Sequence, residues 1–312
     1  METHQKSNMY HKLFTPVVLF IYKRASNLKA FCKILKNLDI KNIYIVSDGA
    51  KSIEYRVRVE KTRRELESLI NWSCNVQKNY SDINLGLKER FRTGINWVFE
   101  HTDRAIFIED DCIPDPSFFT YCDELLEKYK DDKRIISITG NNFQPRKNQV
   151  KDSYYFSRYP HVWGWATWKR VWDQYDSDIV DWPKLRSSGW LDKLFPDRFF
   201  TRKFWTYIFD RLHSEKINTW DYQLTYLSLK NSGFNIVPSV NLVSNVGYGD
   251  DATNIKQKNK TIAVPAKKIT FPLKHPKNVV YNDRADKYIE ELVYLNPLGK
   301  VSLFIKSLLG IL

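Results

Sequence analysis

The chain has 312 residues, 43% of them hydrophobic and 15% aromatic, enough for a globular protein with a substantial core, as one large domain or two lobes sharing a cleft. Its formal net charge of +13 points to an anionic partner: nucleic acid, phosphorylated substrate or acidic lipid. With no basic low-complexity tail and no nucleic-acid motif, nucleic acid ranks lowest of the three. No run of about 18 apolar residues offers a membrane span, and residues 1–12 lack the apolar stretch of a secretory signal. Cys32, Cys74, Cys112 and Cys122 lack zinc-site spacing and read as reduced structural thiols, which together with the polar start points to the cytoplasm.

Residues 16–22 (PVVLFIY) read as a central parallel strand, ended by Lys23-Arg24, a basic pair where a phosphate could sit. Ser26 and Asn27 can cap a helix whose apolar positions are Leu28, Phe31, Ile34, Leu35 and Leu38. Residues 43–46 form a second strand closed by Ser47-Asp48-Gly49, either a plain turn or a carboxylate placed to meet a ribose or base. Residues 54–70 carry acids and bases at helical spacing and read as a solvated helix. Asn84-Leu85-Gly86 opens another helix with Leu87, Phe91, Ile95 and Val98 buried, while Lys88, Arg90 and Arg92 face water or phosphate.

The stretch AIFIEDDCIP at residues 105–114 is an apolar run that ends in three acids. Alternation along a strand sends Glu109 and Asp111 to one side and Asp110 to the other. Three acids at a buried strand end repel unless a cation meets them, and hard oxygen ligands there suit Mg²⁺ or Mn²⁺ carrying a substrate phosphate. The competing reading is a solvated acidic turn. A helix over 116–129 and a strand over 135–139 come next, so the order of elements predicts an α/β fold with a doubly wound, mostly parallel sheet. Neither a Gly-x-Gly-x-x-Gly turn nor a Gly-Lys-Ser/Thr loop is present, so any phosphate must be held by a metal and basic side chains.

From about residue 145 the chain becomes aromatic. Trp165, Trp168 and Trp172 would share one face of a helix, a spacing that reads first as core. An amphipathic helix over 199–212 precedes Thr219-Trp220-Asp221, then come a helix ending near Gly233, a strand over 234–238, and the loop 245–254, whose glycines suit a lid, an anion-binding nest or a surface turn. Residues 298–312 form a basic amphipathic tail that docks on the protein body or rests on an anionic membrane surface.

These pieces together resemble nucleotide-sugar glycosyltransferases of the GT-A fold, particularly the inverting N-acetylglucosaminyltransferase I type and bacterial proteins similar to it. The matching residues are 16–24, Ser47-Asp48-Gly49, the acidic strand with its Pro-Asp-Pro-Ser-Phe-Phe continuation, the aromatic segment 163–168, Trp220-Asp221 and the loop 245–253. The resemblance implies a Rossmann-like sheet, with residues 15–145 as donor-binding half and 146–260 as acceptor half, between a polar extension (1–14) and a C-terminal extension (261–312). It implies Asp111 as ligand of Mn²⁺ or Mg²⁺, Glu109 and Asp110 against the donor's sugar and ribose, Arg24 near the nucleotide, Phe20 beside the base and Asp48 reading uracil. Tyr22 and Trp220 belong to the same donor-binding set. Arg90 stands near a position where that family uses a histidine, a departure that touches the nucleobase contacts. Asp221 looks like the catalytic base.

The residues suit that chemistry on their own. A nucleoside diphosphate leaves with charge that a divalent ion stabilises, and the attacking hydroxyl needs a carboxylate base within reach. Asp221 can serve, with Asp250 and Asp251 in reserve; its plain role would be to cap the next helix. The implied partners are a nucleotide-sugar donor, with UDP resting on the resemblance alone, and a glycan or lipid-linked acceptor, with residues 297–312 placed to meet an anionic membrane. A sugar-nucleotide nucleotidyltransferase would need a glycine- and lysine-rich loop after the first strand, which residues 20–24 do not offer; a non-catalytic nucleotide-sugar or carbohydrate-binding module is the reading from another class.

Overall fold

The computed structural model describes residues 13–144, 150–247, 264–295 and 299. Most of the polar N-terminal extension, the glycine loop beyond Gly247 with Asp250 and Asp251, and the amphipathic tail lie outside the described residues.

An eight-stranded sheet organises the chain, in the order β3-β2-β1-β4-β8-β6-β9-β7. Its first half comprises β1 (Val17–Ile21), β2 (Asn42–Ser47), β3 (Asn75–Tyr80) and β4 (Arg104–Glu109), all parallel. The second half comprises β6 (Ile135–Thr139), β7 (Tyr154–Ser157), β8 (Trp165–Trp168) and β9 (Phe234–Pro238), of which β8 and β7 run against their neighbours. A short antiparallel pair, β5 (Cys112–Pro114) with β10 (Val243–Asn245), stands apart from it. The expected Rossmann-like, mostly parallel α/β sheet flanked by helices is observed.

Helices α1 (Leu28–Asn37), α2 (Ile53–Leu69) and α3 (Leu87–Phe99) connect the strands of the first half, and α4 (Ser117–Lys128) leads from β5 into β6. β1 is wholly apolar because β2 and β4 flank it and both its faces are covered. β3 (NVQKNY) is polar because it is the sheet edge, where charge and amide side chains discourage further pairing. That polarity leaves no apolar run in the sequence, and the strand is not expected there. α2 keeps only Val59, Thr62 and Leu66 buried, as a solvated helix should.

Two expectations are corrected here. Trp165 and Trp168 are not on a helix: they lie in β8, inserted antiparallel between β4 and β6 and buried on both faces, and only Trp172 is helical, at the end of α5 (Lys169–Trp172). Spacing of three and four residues suggests a helix, but a central strand needs no alternation. Asn27, at the N-terminus of α1, makes no capping bond; its side chain donates to the Asp110 carbonyl at 3.3 Å.

A second core lies beyond the sheet, where α6 (Trp182–Ser187), α7 (Trp190–Leu194), α8 (Phe199–His213) and α9 (Asp221–Lys230) meet α10 (Asp283–Ile289) through Trp182, Trp205, Phe209, Tyr226 and Ile289. Most of the tryptophan surplus is therefore packing, and no described helix is long and apolar enough to cross a membrane.

Candidate functional site

The parallel register pairs Phe20 with both Val46 and Glu109, so β1, β2 and β4 end together, and the turns leaving the three strands converge. β4 stops at Glu109, and Asp110-Asp111 form a turn before β5. The alternation expected of the three acids is thereby broken. Asp110 and Asp111 both meet Arg24, whose Nη1 lies 2.5 Å from Asp111 Oδ2 and 3.6 Å from Asp110 Oδ1. The Tyr22 amide donates to Asp110 Oδ2 at 3.0 Å, tying the end of β1 to the acidic turn. Crowding shows in the proton affinities. Burial, then the Asp111 charge, pushes Asp110 up to about 6 against the pull of the Tyr22 amide and Arg24. Burial and the carboxylates of Asp111, Asp110 and Asp221 push Glu109 well up, with Arg24 opposing.

The turn is also held from β10. The Val246 amide donates to the Asp111 carbonyl at 2.8 Å, and Asn245 Nδ2 lies 3.4 Å from Asp111 Oδ1. Gly247 is a glycine for want of space: a Cβ there would sit 2.9 Å from Asp111 Cγ and closer still to Oδ2. It does not take a positive φ, and the rest of the loop, for which lid, nest and surface turn are open, lies outside the described residues. Asn245 was not legible as a site residue, since only the β5–β10 pairing carries it to Asp111.

Asp48 follows β2 and is buried. Its Oδ1 accepts from the amides of Gly49 and Leu85, both at 2.9 Å, and its Oδ2 from the Gly86 amide at 3.0 Å and Asn84 Nδ2 at 2.9 Å. It staples the loop before α3. Beside it Arg90 is buried rather than solvated, its Nη2 donating to the carbonyl and side-chain oxygens of Asn79, both at 2.6 Å, while its Nε has no partner among the described residues. Burial lowers its pKa, and the Asp48 charge opposes that. Lys88 and Arg92 turn outward onto Asp178 and Glu89.

Asp221 arrives through an aromatic stack. Phe20 lies on Phe91 at 4.1 Å between centroids, Phe91 on Trp220 at 4.6 Å, and Trp220 on Trp165 at 5.4 Å. Gly94 permits the first contact, because a Cβ there would strike Val46 and Phe20. Trp220 and Phe20, expected to touch donor, are thus core residues in this structure, 3% and 5% exposed. Trp220 is the N-cap residue of α9, so Asp221 is the first helical residue rather than the cap. Its carboxylate accepts from the Thr219 hydroxyl. Burial raises its pKa, opposed by that hydroxyl and by the amides of Asp221 and Tyr222. Chain segments about a hundred residues apart thus place Asp221 within the electrostatic reach of Glu109.

Among the described residues no three His, Cys, Asp or Glu side chains converge as a metal cage. The donor set is one turn carboxylate, Asp111, with Asp110 beside it. Such a set suits Mg²⁺ or Mn²⁺ completed by substrate phosphate oxygens and not a metal enclosed by protein alone. In this structure the cation that Asp111 meets is Arg24.

No protein-family model matches this chain, and no curated protein matches it. Two solved structures that resemble it are both of UDP-glucose pyrophosphorylase. The apo form is 11% identical over 72% of this chain and 90% of that one, with a TM-score of 0.37. The complex with UDP-glucose is 11% identical over 52% and 71%, with a TM-score of 0.29. So loose a likeness leaves the functional reading to the site itself.

Proposed function

We propose that this protein moves a sugar from a nucleotide-diphosphate donor, a UDP-sugar by the resemblance, to a hydroxyl of a glycan or lipid-linked glycan, with inversion. The observation that carries the reading is the meeting of Arg24 with Asp110 and Asp111 at the carboxyl ends of the parallel strands, where the charge of Asp221 is felt at Glu109. Ligands of open α/β sheets bind at that end.

In this reading Arg24 exchanges its bond to Asp111 for the donor's diphosphate, and Asp111 becomes free to hold Mn²⁺ or Mg²⁺. A divalent ion bound there supplies charge stabilisation to the departing diphosphate. Glu109, kept protonated longer than an ordinary carboxyl, can donate a hydrogen bond to a sugar hydroxyl. Asp221 takes the proton of the acceptor hydroxyl as its oxygen bonds to the anomeric carbon and the bond to the diphosphate breaks. Its raised pKa suits a base that must be ionised at neutral pH yet gain a proton readily.

The test is incubation with a panel of nucleotide sugars and Mn²⁺, following nucleoside diphosphate release with and without glycoside acceptors. Metal-dependent release that acceptors accelerate is the expected result. Nucleoside triphosphate formed from nucleotide sugar and pyrophosphate would assign nucleotidyl transfer instead. Donor binding without any turnover would assign a binding module.

A further inference from the structure

Beyond Gly247 the next described residues lead to the edge strand β7, where the last described elements are fastened by buried charge. The Asn282 amide donates to the Phe156 carbonyl at 2.8 Å, and the Asn282 side chain caps α10 through the Ala285 amide. Asp286, 0% exposed, accepts from Ser157 Oγ at 2.6 Å and from the Arg158 guanidinium at 3.0 Å. Glu290, 4% exposed, accepts from Tyr159 Oη at 2.7 Å, Arg198 at 2.6 Å and Thr201 Oγ1 at 2.7 Å. Two buried carboxylates matched by two arginines set the register of this segment, because a slip would strand a charge.

What they hold in register is a π turn, Glu290–Tyr294, a distortion often found at functional sites. It carries Tyr294 onto the second core, with ring centroids 5.0 Å from Trp205, 5.3 Å from Phe204 and 5.4 Å from Tyr159. Trp205 in turn meets Tyr222 edge-on at 6.0 Å, and Tyr222 directly follows Asp221. Among the described residues neither Tyr222 nor Tyr294 has a hydrogen-bond partner for its phenol, and both residues, packed against the second core, are partly exposed. Burial, then Tyr222 and Asp221, push the Tyr294 phenol well up, which keeps it a donor.

We propose that Tyr222 and Tyr294 form the acceptor-side wall beside Asp221 and that the ligand they take is a neutral pyranoside. This rests on the transfer reading and deepens it. A sugar ring offers an apolar C–H face to a phenol ring and hydroxyls to the two phenol oxygens. Asp221 repels a carboxylated or phosphorylated ring at this subsite. The C-terminal segment is then part of the active site.

The experiment uses the full chain and neutral p-nitrophenyl pyranosides as probe acceptors, with a p-nitrophenyl uronide for comparison. Tyr294→Ala is expected to raise KM for the neutral glycosides by about 10-fold, and Tyr294→Phe by less, with the loss lying in KM rather than kcat and a thermal melt reporting that each variant folds. Saturation-transfer NMR with the same glycosides, with and without donor, reads contact independently of turnover. Contact seen in wild type and lost in Tyr294→Ala is expected. The wall is overturned by no contact in wild type, by contact and KM unchanged in Tyr294→Ala, by a loss lying in kcat rather than KM, or by preference for the uronide. If no nucleotide sugar is bound or turned over while glycoside contact depends on Tyr294, the transfer reading fails and the sugar wall stands.

Discussion

Replacing Gly247 with alanine separates placement of Asp111 from the stability of the fold. The new Cβ would lie 2.9 Å from Asp111 Cγ, closer still to Oδ2, and 3.1 Å from Asn245 Oδ1. Restoring ordinary contact moves the carboxylate oxygen by about 1 Å. It cannot do so and keep its 2.5 Å bond to Arg24, and retreat of the chain at Gly247 would instead strain the β5–β10 pair. The Arg24–Asp111 pair is partly solvated, 18% and 17% exposed, so losing it costs about 1 kcal/mol. Thermal unfolding should then fall by about 3 °C. A displacement of about 1 Å in a group that positions the leaving diphosphate should lower kcat by about 100-fold. The assay is metal-dependent donor hydrolysis beside a thermal melt. A kcat within about threefold of wild type refutes the reasoning, and a melt lowered by more than about 10 °C would make Gly247 a packing residue instead.

Three further substitutions test the base, the loop staple and a buried histidine. Asp221→Asn should lower acceptor transfer by about 10²- to 10⁴-fold while leaving the melt unchanged or slightly raised, because the amide avoids the burial that raises the Asp221 pKa; transfer within tenfold would remove Asp221 as the base. Asp48→Ala strands the amides of Leu85 and Gly86, while the Gly49 amide keeps the Ile83 carbonyl and Asn84 keeps the Gly49 carbonyl, and should cost about 3 kcal/mol in urea unfolding; a loss below about 1 kcal/mol would show the staple to be solvent-replaceable. His161 is buried, and burial lowers its pKa from 6.5 to about 4. With the folded value depressed, the unfolded chain binds the extra proton, so the stability is present above pH 6.5 and lost as pH falls through about 4. The loss is about 3 kcal/mol, and in His161→Phe it should vanish. The raised Asp286 and Asp110 act with the opposite sign in the same window, so the comparison is between wild type and variant at each pH, and parallel profiles would contradict it.

What was legible in the sequence were the features written in local periodicity. The strand over 135–139, the strand over 234–238 and the solvated helix after Gly49 depend on neighbours a few residues away, and they lie where expected. What was not legible depended on partners distant in the chain. β3 is polar because it is an edge, and β8 is a strand because β4 and β6 enclose it. Arg90 lies on a helix face that looks solvated until Asn79 of the edge strand is placed against it. The three acids stand out in the sequence, but their sidedness does not, since β4 ends at Glu109 and Asp110 already belongs to the turn. Of the aromatic residues expected at the donor, Phe20 and Trp220 instead form the stack that seats Asp221, a role that stacking distance alone reveals.

That a nucleotide-sugar diphosphate meets a divalent cation at Asp111 is tested most directly by a thermal-shift titration. Nucleotide sugars are added with and without Mn²⁺ to wild type and to Asp111→Ala. Ligand bound only by the folded state, at about 100 times its Kd, stabilises it by about 2.7 kcal/mol. The expected result is a shift of several degrees for a particular donor in wild type, dependent on Mn²⁺ and abolished in Asp111→Ala. No shift with any nucleotide sugar, or an equal shift in Asp111→Ala, would contradict the assignment of Asp111 as the metal ligand of a donor site.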